Sequence, residues 1–287
     1  MIDGNTRLLG VIGDPIRHSL SPIMHNFILD YFGLNYCYHS FHIVPEKLKE
    51  AIRSFKLLDF VGINVTLPHK QAIIPLLDDV APDARKLKAV NTVIFQNGRV
   101  IGYNTDCSGF LSSLSLIKGS LRNQKAVVLG AGGSTRAVIY ALIQIGVNEI
   151  MIYNRSLENA ERLVRYIREA MDFSEIYARQ LSDYRIFESI QKAKILINAT
   201  SVGMAPYTET CPLPESIIFP EGILVYDLIY NPVETKLLKM ANFQGVRTMS
   251  GLDMLVLQGV ESLKIWTGKN IDVSKILSNI KKLLLQR

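Results

Sequence analysis

Ala126-Val-Val-Leu-Gly130-Ala-Gly-Gly-Ser-Thr-Arg136 is the stretch on which the reading of this chain turns. Ala126–Leu129 is a short, wholly apolar strand, and Thr135–Ile145 has the pattern of a helix. Between them, the glycines permit a tight turn and let a pyrophosphate approach the backbone, while a helix N-terminus offers it unpaired N–H groups. Glycine clusters also make ordinary turns, and Thr135 stands where the third glycine of GxGxxG is expected. Placement between a buried strand and a helix is what makes this a nucleotide-binding turn.

Reading onward, the next strand, Glu149–Tyr153, ends in Asn154-Arg155-Ser156, with no acid until Glu158. An acid at this point would accept from the ribose 2′-hydroxyl of NAD; a guanidinium instead suits the 2′-phosphate of NADP. Further strands are expected at Ile195–Asn198 and Leu224–Asp227. Two amphipathic helices, Asp253–Gly268 and Val273–Leu285, then close the chain and are expected to return to an earlier domain.

Reading backward, Leu8–Ile12 is a buried strand, and a helix follows over Pro22–Phe32 with Ser21 as its candidate N-cap. Asn35–Val44, Glu46–Phe55 and Phe60–Thr66 continue as strand, helix and strand. Short strands near Thr92–Gln96 and Val100–Tyr103 are joined by Asn97-Gly98, a hairpin turn signal. The sequence thus predicts an α/β chain. An N-terminal domain with a parallel or mixed sheet (residues 1–107, with 252–287) binds substrate, and a Rossmann-like domain (108–251) binds dinucleotide.

Bulk properties fit that division. At 287 residues, 48% hydrophobic and 20% charged, the chain is long enough for two ordinary globular cores. The formal charge of +6 comes from basic residues dispersed among acids. Only Lys275, Lys281, Lys282 and Arg287 cluster, beside helically spaced apolar residues, so no nucleic-acid partner is expected. No segment looks membrane-spanning or like a signal peptide, and a cytoplasmic location is the expectation. Cys37, Cys107 and Cys211 are odd in number and widely spaced, which points away from a disulfide framework or a metal site. No interface helix or heptad seam stands out; a homodimer is left open.

Three polar clusters stand out in the first domain. Ser19 and Ser21 put two hydroxyls in a loop before a helix, where they could hold a carboxylate. Asn64 and Thr66 share one side of a strand end, with Lys70 just past Pro68. Asn91-Thr92 and Asn104-Thr105-Asp106 are each read as ending a strand-like segment. Ligands of open α/β sheets bind beyond the carboxyl ends of strands, where these groups would converge. Each alone also reads as a turn or a cap; the coincidence points to a site.

These runs resemble the shikimate dehydrogenase family. Gly13-Asp-Pro-Ile-Arg-His-Ser-Leu-Ser-Pro22, Asn64–Lys70, Ala89-Val-Asn-Thr92, Gly102-Tyr-Asn-Thr-Asp106 and Asn198-Ala-Thr-Ser-Val-Gly203 carry the resemblance, with Asp227–Pro232 and Gly251–Gly259, nearly end to end. The resemblance implies reversible reduction of 3-dehydroshikimate to shikimate with NADPH, in aromatic amino-acid (chorismate) biosynthesis, and no metal. It assigns acid/base chemistry to Lys70 and Asp106, and substrate binding to both together with Ser19, Ser21, Asn64, Thr66, Asn91, Tyr230 and Gln258. NADP would be held by Gly130, Ala131, Gly132, Gly133 and Ser134, by Asn154, Arg155 and Ser156, and by Thr200, Leu228 and Gly251. Pro82 departs from the family pattern where some relatives carry an acid, and Ser156 where threonine is common. A quinate or dual-specificity dehydrogenase shares most of these motifs. A catalytically silent NADP sensor would not require Lys70 and Asp106, and a folate-linked dehydrogenase would not be favoured by the Ser19/Ser21 pair.

Overall fold

The computed structural model describes residues 2–115 and 117–286, so Arg287 of the basic C-terminal stretch lies outside them. The chain divides into two compact units, one formed by Met1–Gly109 with Val256–Arg287, the other by Phe110–Leu255. Helices Asp106–Ser113 and Gly251–Thr267 run through the two points of division. No helix among the described residues is long and apolar enough to cross a membrane.

The first unit holds β1 (Arg7–Gly13), β2 (Tyr36–His42), β3 (Gly62–Val65), β4 (Asp79–Val80), β5 (Thr92–Gln96) and β6 (Arg99–Tyr103), in the order β2-β1-β3-β5-β6-β4. β1 pairs in parallel with β2 and β3, whereas β5 runs antiparallel to both β3 and β6. The sheet is therefore mixed. The reversal between β5 and β6 is made by Asn97 and Gly98, at φ 51° and 74°. Two consecutive left-handed residues match the right-handed twist of a tight hairpin. Ile12, Ile63, Val65 and Val93 from the strands meet Leu48, Ile52 and Phe55 in one apolar cluster.

Three local expectations are corrected. The helix after the serine loop spans Ser21–Tyr31, and its N-cap is Leu20 with no side-chain cap, so Ser21 does not act as the cap. Only a single turn of 3-10 helix, Pro45–Lys47, occupies the start of the expected Glu46 helix, which runs over Leu48–Leu57. The last helix begins at Leu277 rather than Val273.

The second unit is a six-stranded, all-parallel sheet: β7 (Lys125–Leu129), β8 (Glu149–Asn154), β9 (Ile176–Gln180), β10 (Ile195–Asn198), β11 (Leu224–Asp227) and β12 (Arg247–Ser250). Its order, β12-β11-β10-β7-β8-β9, builds outward from β7 first to one side and then to the other. β7 and β10 thus flank the reversal point of a doubly wound sheet, where such folds take dinucleotides.

Candidate active site

Antiparallel β5 explains how the first unit assembles its polar clusters. Because β5 runs against β3 and β6, its amino end lies beside their carboxyl ends. Val65 N–H donates to Asn91 O at 2.8 Å, and Asn91 N–H donates to Tyr103 O at 3.0 Å. Lys70 sits in the helical turn His69–Ala72 that follows β3, its carbonyl accepting from Val90 N–H at 2.8 Å. Asp106 opens a helix just past β6, its own N–H donating to Asn104 Oδ1 at 3.1 Å.

Lys70 Nζ donates to Asp106 Oδ2 at 2.6 Å, with the two side chains only 17% and 11% exposed. The other carboxylate oxygen accepts from Asn91 Nδ2 at 2.8 Å. Asn91 has one possible orientation, because its Oδ1 accepts from the backbone N–H of Thr105 at 2.7 Å. Gln258 Oε1 completes the cluster, 3.4 Å from Asn91 Nδ2 and 3.3 Å from Thr105 Oγ1. The Lys70 amine is thus held against a carboxylate that is itself fixed from behind.

Asn64 is one layer deeper. It is buried, and its Nδ2 donates to Asn91 O at 3.1 Å, with Thr92 Oγ1 and Ser262 Oγ at 3.1 and 3.0 Å. Ser19 and Thr66 are placed on adjoining loops, with Ser21 opening the helix that follows the first: Asp14 N–H donates to Leu67 O at 2.9 Å, joining the loop after β1 to the segment after β3. Ser19 Oγ accepts from Ser21 N–H at 3.3 Å. Among the described residues, none of these three hydroxyls bonds to Lys70 or Asp106. Cys107, next to the acid, is buried, and its thiol is pushed up to about 12 by burial and then by the charges of Asp83 and Asp106, so it is no nucleophile.

In the second unit, Gly130 at φ 104° turns the chain beneath the loop of β10. A Cβ there would stand 3.0 Å from the Thr200 methyl and 3.1 Å from the Ala199 carbonyl. At Gly132 and Gly133 a Cβ would meet nothing within 4 Å, which leaves the backbone open to a ligand. Helix Gly133–Ile145 starts here without a side-chain cap, and buried Thr135 ties the turn by donating to Gly130 O at 3.3 Å. That bond accounts for a threonine in the third glycine position.

Asn154, Arg155 and Ser156 follow β8, and their roles separate. Asn154 Nδ2 donates to Ser156 O at 2.8 Å, and Ser156 Oγ caps helix Leu157–Met171 by accepting from Asn159 N–H at 3.4 Å. Arg155 is exposed, and Glu158, the nearest acid in sequence, pairs with Arg162 at 3.0 Å instead. At the ends of β10 and β11, buried Asp227 accepts from Asn198 Nδ2 (3.0 Å), Thr235 Oγ1 (2.7 Å) and Ile229 N–H (3.0 Å). Burial raises its pKa, against those hydrogen bonds. Asn198 Oδ1 in turn accepts from Thr200 Oγ1 at 2.7 Å. The latch shapes both loops, and Gly251 is packed against the second: a Cβ on it would overlap the Leu228 carbonyl. Tyr230 lies in this unit, half-buried, and desolvation raises its phenol pKa.

Sequence reasoning missed Ser262 and Tyr38 as members of the polar cluster. Ser262 stands four residues after Gln258, on the same helical face, which is the signal that could have found it.

Residues 11–93 match the family described as "Shikimate dehydrogenase substrate binding domain", 113–211 "Shikimate / quinate 5-dehydrogenase", and 251–278 "Shikimate 5'-dehydrogenase C-terminal domain". The chain belongs to the shikimate dehydrogenase family. A shikimate dehydrogenase (NADP(+)) of Caldanaerobacter subterraneus subsp. tengcongensis is 42% identical over 98% of each chain. The structure of shikimate 5-dehydrogenase from Thermus thermophilus with NADP(H) and shikimate matches with TM-score 0.83 at 35% identity, covering 98% of this chain and 99% of that one. Quinate dehydrogenase from Corynebacterium glutamicum, in complex with NAD, matches with TM-score 0.88 at 31% identity over 98% and 99%. In this shikimate dehydrogenase family member, no group of three or more His, Cys, Asp or Glu side chains that could hold a metal occurs among the described residues.

Proposed function

We propose that the chain reduces 3-dehydroshikimate to shikimate with NADPH, reversibly, with Lys70 and Asp106 as the acid/base pair. The observation that carries the reading is the 2.6 Å contact of Lys70 with Asp106, whose other carboxylate oxygen is held by Asn91. NADPH supplies the hydride when bound. The open backbone at Gly132 and Gly133 and the exposed cation of Arg155 fit that group. Gly130–Ser134, Asn154–Ser156, Thr200, Leu228 and Gly251 would hold it.

Hydride arriving at a carbonyl carbon leaves negative charge on oxygen, which needs a proton within hydrogen-bond reach. Lys70 commits one N–H to Asp106 and keeps two for the reacting oxygen. It gives a proton in the reducing direction and accepts one in the other, while Asp106 holds the amine in place and receives the substrate hydroxyl. Ser19 and Ser21 bind the carboxylate through neutral donors; Asn64, Thr66, Asn91, Tyr230 and Gln258 complete the substrate set. Its partners on this reading are small molecules.

The test is NADPH absorbance on mixing enzyme with shikimate or quinate and either NADP or NAD. Turnover with shikimate and NADP is expected, with kcat/KM at least about tenfold above quinate, the discrimination expected from one unpaired buried hydroxyl. No turnover with shikimate would refute the assignment.

A further inference from the structure

Tyr38 belongs to none of the runs that carry the family resemblance, yet it stands at the root of the polar cluster. It lies on β2, 1% exposed, and its phenol donates to Asn64 Oδ1 at 2.7 Å.

The orientation of Asn64 is fixed at both ends. Its Nδ2 donates to Asn91 O, and a backbone carbonyl only accepts, so the amide oxygen must point at Tyr38. Asn64 thereby braces the main chain of Asn91, which also accepts from Val65 N–H. Asn91, fixed at its far end by Thr105 N–H, orients Asp106, and Asp106 orients Lys70. A continuous chain of hydrogen bonds thus runs from a buried phenol to the amine that handles the proton.

We propose that Tyr38 is a positioning residue: its hydroxyl holds Asn64, and through it Asn91, where the Lys70–Asp106 pair meets substrate. The proposal rests on the shikimate reading above. Packing alone is the competing account, because the Tyr38 ring stacks on His25 at 4.1 Å between centroids and lies 6.1 Å from that of Trp266.

Tyr38→Phe separates the two, since it keeps the ring and removes only the donor. The expected result is a rise of about tenfold in the KM for shikimate, the effect of one hydrogen bond. The KM for NADP should stay within about twofold, because a hydrogen-bond network acts on the groups it contacts. Combined with Asn64→Ala, the effect on shikimate KM should be smaller than the product of the single effects, as for residues sharing one network. An unchanged shikimate KM, an equal rise for both ligands, or fully multiplicative effects would overturn the proposal. If Tyr38→Phe does not fold, 4-fluorophenylalanine at position 38 fills the hydroxyl's volume without a donor and is judged by the same three outcomes. Turnover of the wild-type enzyme with shikimate and NADP tests the underlying reading separately.

Discussion

Replacing Lys70 by alanine removes the ammonium and leaves the Asp106 carboxylate with one of its two donors. Two magnitudes follow. A positioned general acid contributes about 10²–10⁴ in rate, or roughly 2.7–5.5 kcal/mol of barrier, so kcat should fall by that factor while shikimate KM moves much less. The stability term is smaller than the figure for a fully buried pair, about 3–5 kcal/mol, because Asp106 is not sealed from solvent and keeps the Asn91 N–H. A loss of about 1–3 kcal/mol is expected, measured by urea unfolding. Lys70→Arg distinguishes the two terms. It retains a cation for Asp106 and should recover most of the stability. Its guanidinium, with a pKa above about 12, is a poor proton donor, so kcat should stay low. Initial rates of NADPH oxidation on 3-dehydroshikimate decide the matter. Turnover of Lys70→Ala within about threefold of wild type, against the 10²–10⁴ expected, would refute the acid/base role, as would full recovery by arginine.

Arg155→Asp should raise the KM for NADP and leave or improve that for NAD, because an exposed guanidinium is replaced by a charge that repels the 2′-phosphate; unchanged selectivity in parallel kinetics would return Arg155 to an ordinary surface residue. Gly251→Ala would drive a Cβ into the oxygen and carbon of the Leu228 carbonyl, neither of which can swing aside. It should cost about 1–3 kcal/mol and raise NADP KM, and an unaltered Tm with unaltered KM would contradict the close approach. His25 is fully buried without a hydrogen-bond partner, and desolvation holds its pKa down at about 3 from 6.5. Below pH 6.5 the unfolded chain takes up a proton that the folded one refuses, so stability is lost as pH falls from 6.5 toward 3. About 2 kcal/mol should be gone by pH 5 relative to neutrality, and His25→Gln should lessen that slope; identical slopes in urea unfolding would refute this.

The Rossmann half was legible because its signals are local. An apolar strand, a glycine turn and a helix occupy consecutive residues, and each of the strands expected there is present, with β8 ending at Asn154 and β7 starting at Lys125. β9 and β12 were not legible: Ile176–Gln180 and Arg247–Ser250 are edge strands with few apolar residues, and pairing rather than pattern makes them strands. In the first unit, Asn97-Gly98 announced the hairpin, but nothing in the local pattern says that β5 opposes β3. That is a choice of neighbour and direction. Ser21 shows the limit of a cap signal. A serine ahead of Pro22 suits a cap, yet here Ser21 is already the first helical residue, and its own N–H donates to Ser19 Oγ.

The two candidate sites are built from different materials, and this determines how each should respond to substitution. On the cofactor side the chain presents backbone: Gly130 and Gly251 are required by close approach, Gly132 and Gly133 by openness, and Asp227 with Asn198 only shapes the loops. Substitutions there should act through added bulk, so even alanine is a severe change at Gly130 and Gly251. On the substrate side the groups are side chains whose donors are already spent on one another. Asn91 Nδ2 serves Asp106 and Thr105, and Asn64 Nδ2 serves Asn91 O and two hydroxyls. Substitutions there should act by removal, and because partners are shared the losses should not multiply. On the acid/base role proposed for Lys70, the rigidity has a chemical reason. A proton donor is useful only where the reacting oxygen will be, and a lysine on a four-carbon stem has no such position of its own. Asp106 supplies that position, Asn91 supplies it to Asp106, and the buried layer from Asn64 to Tyr38 supplies it to Asn91.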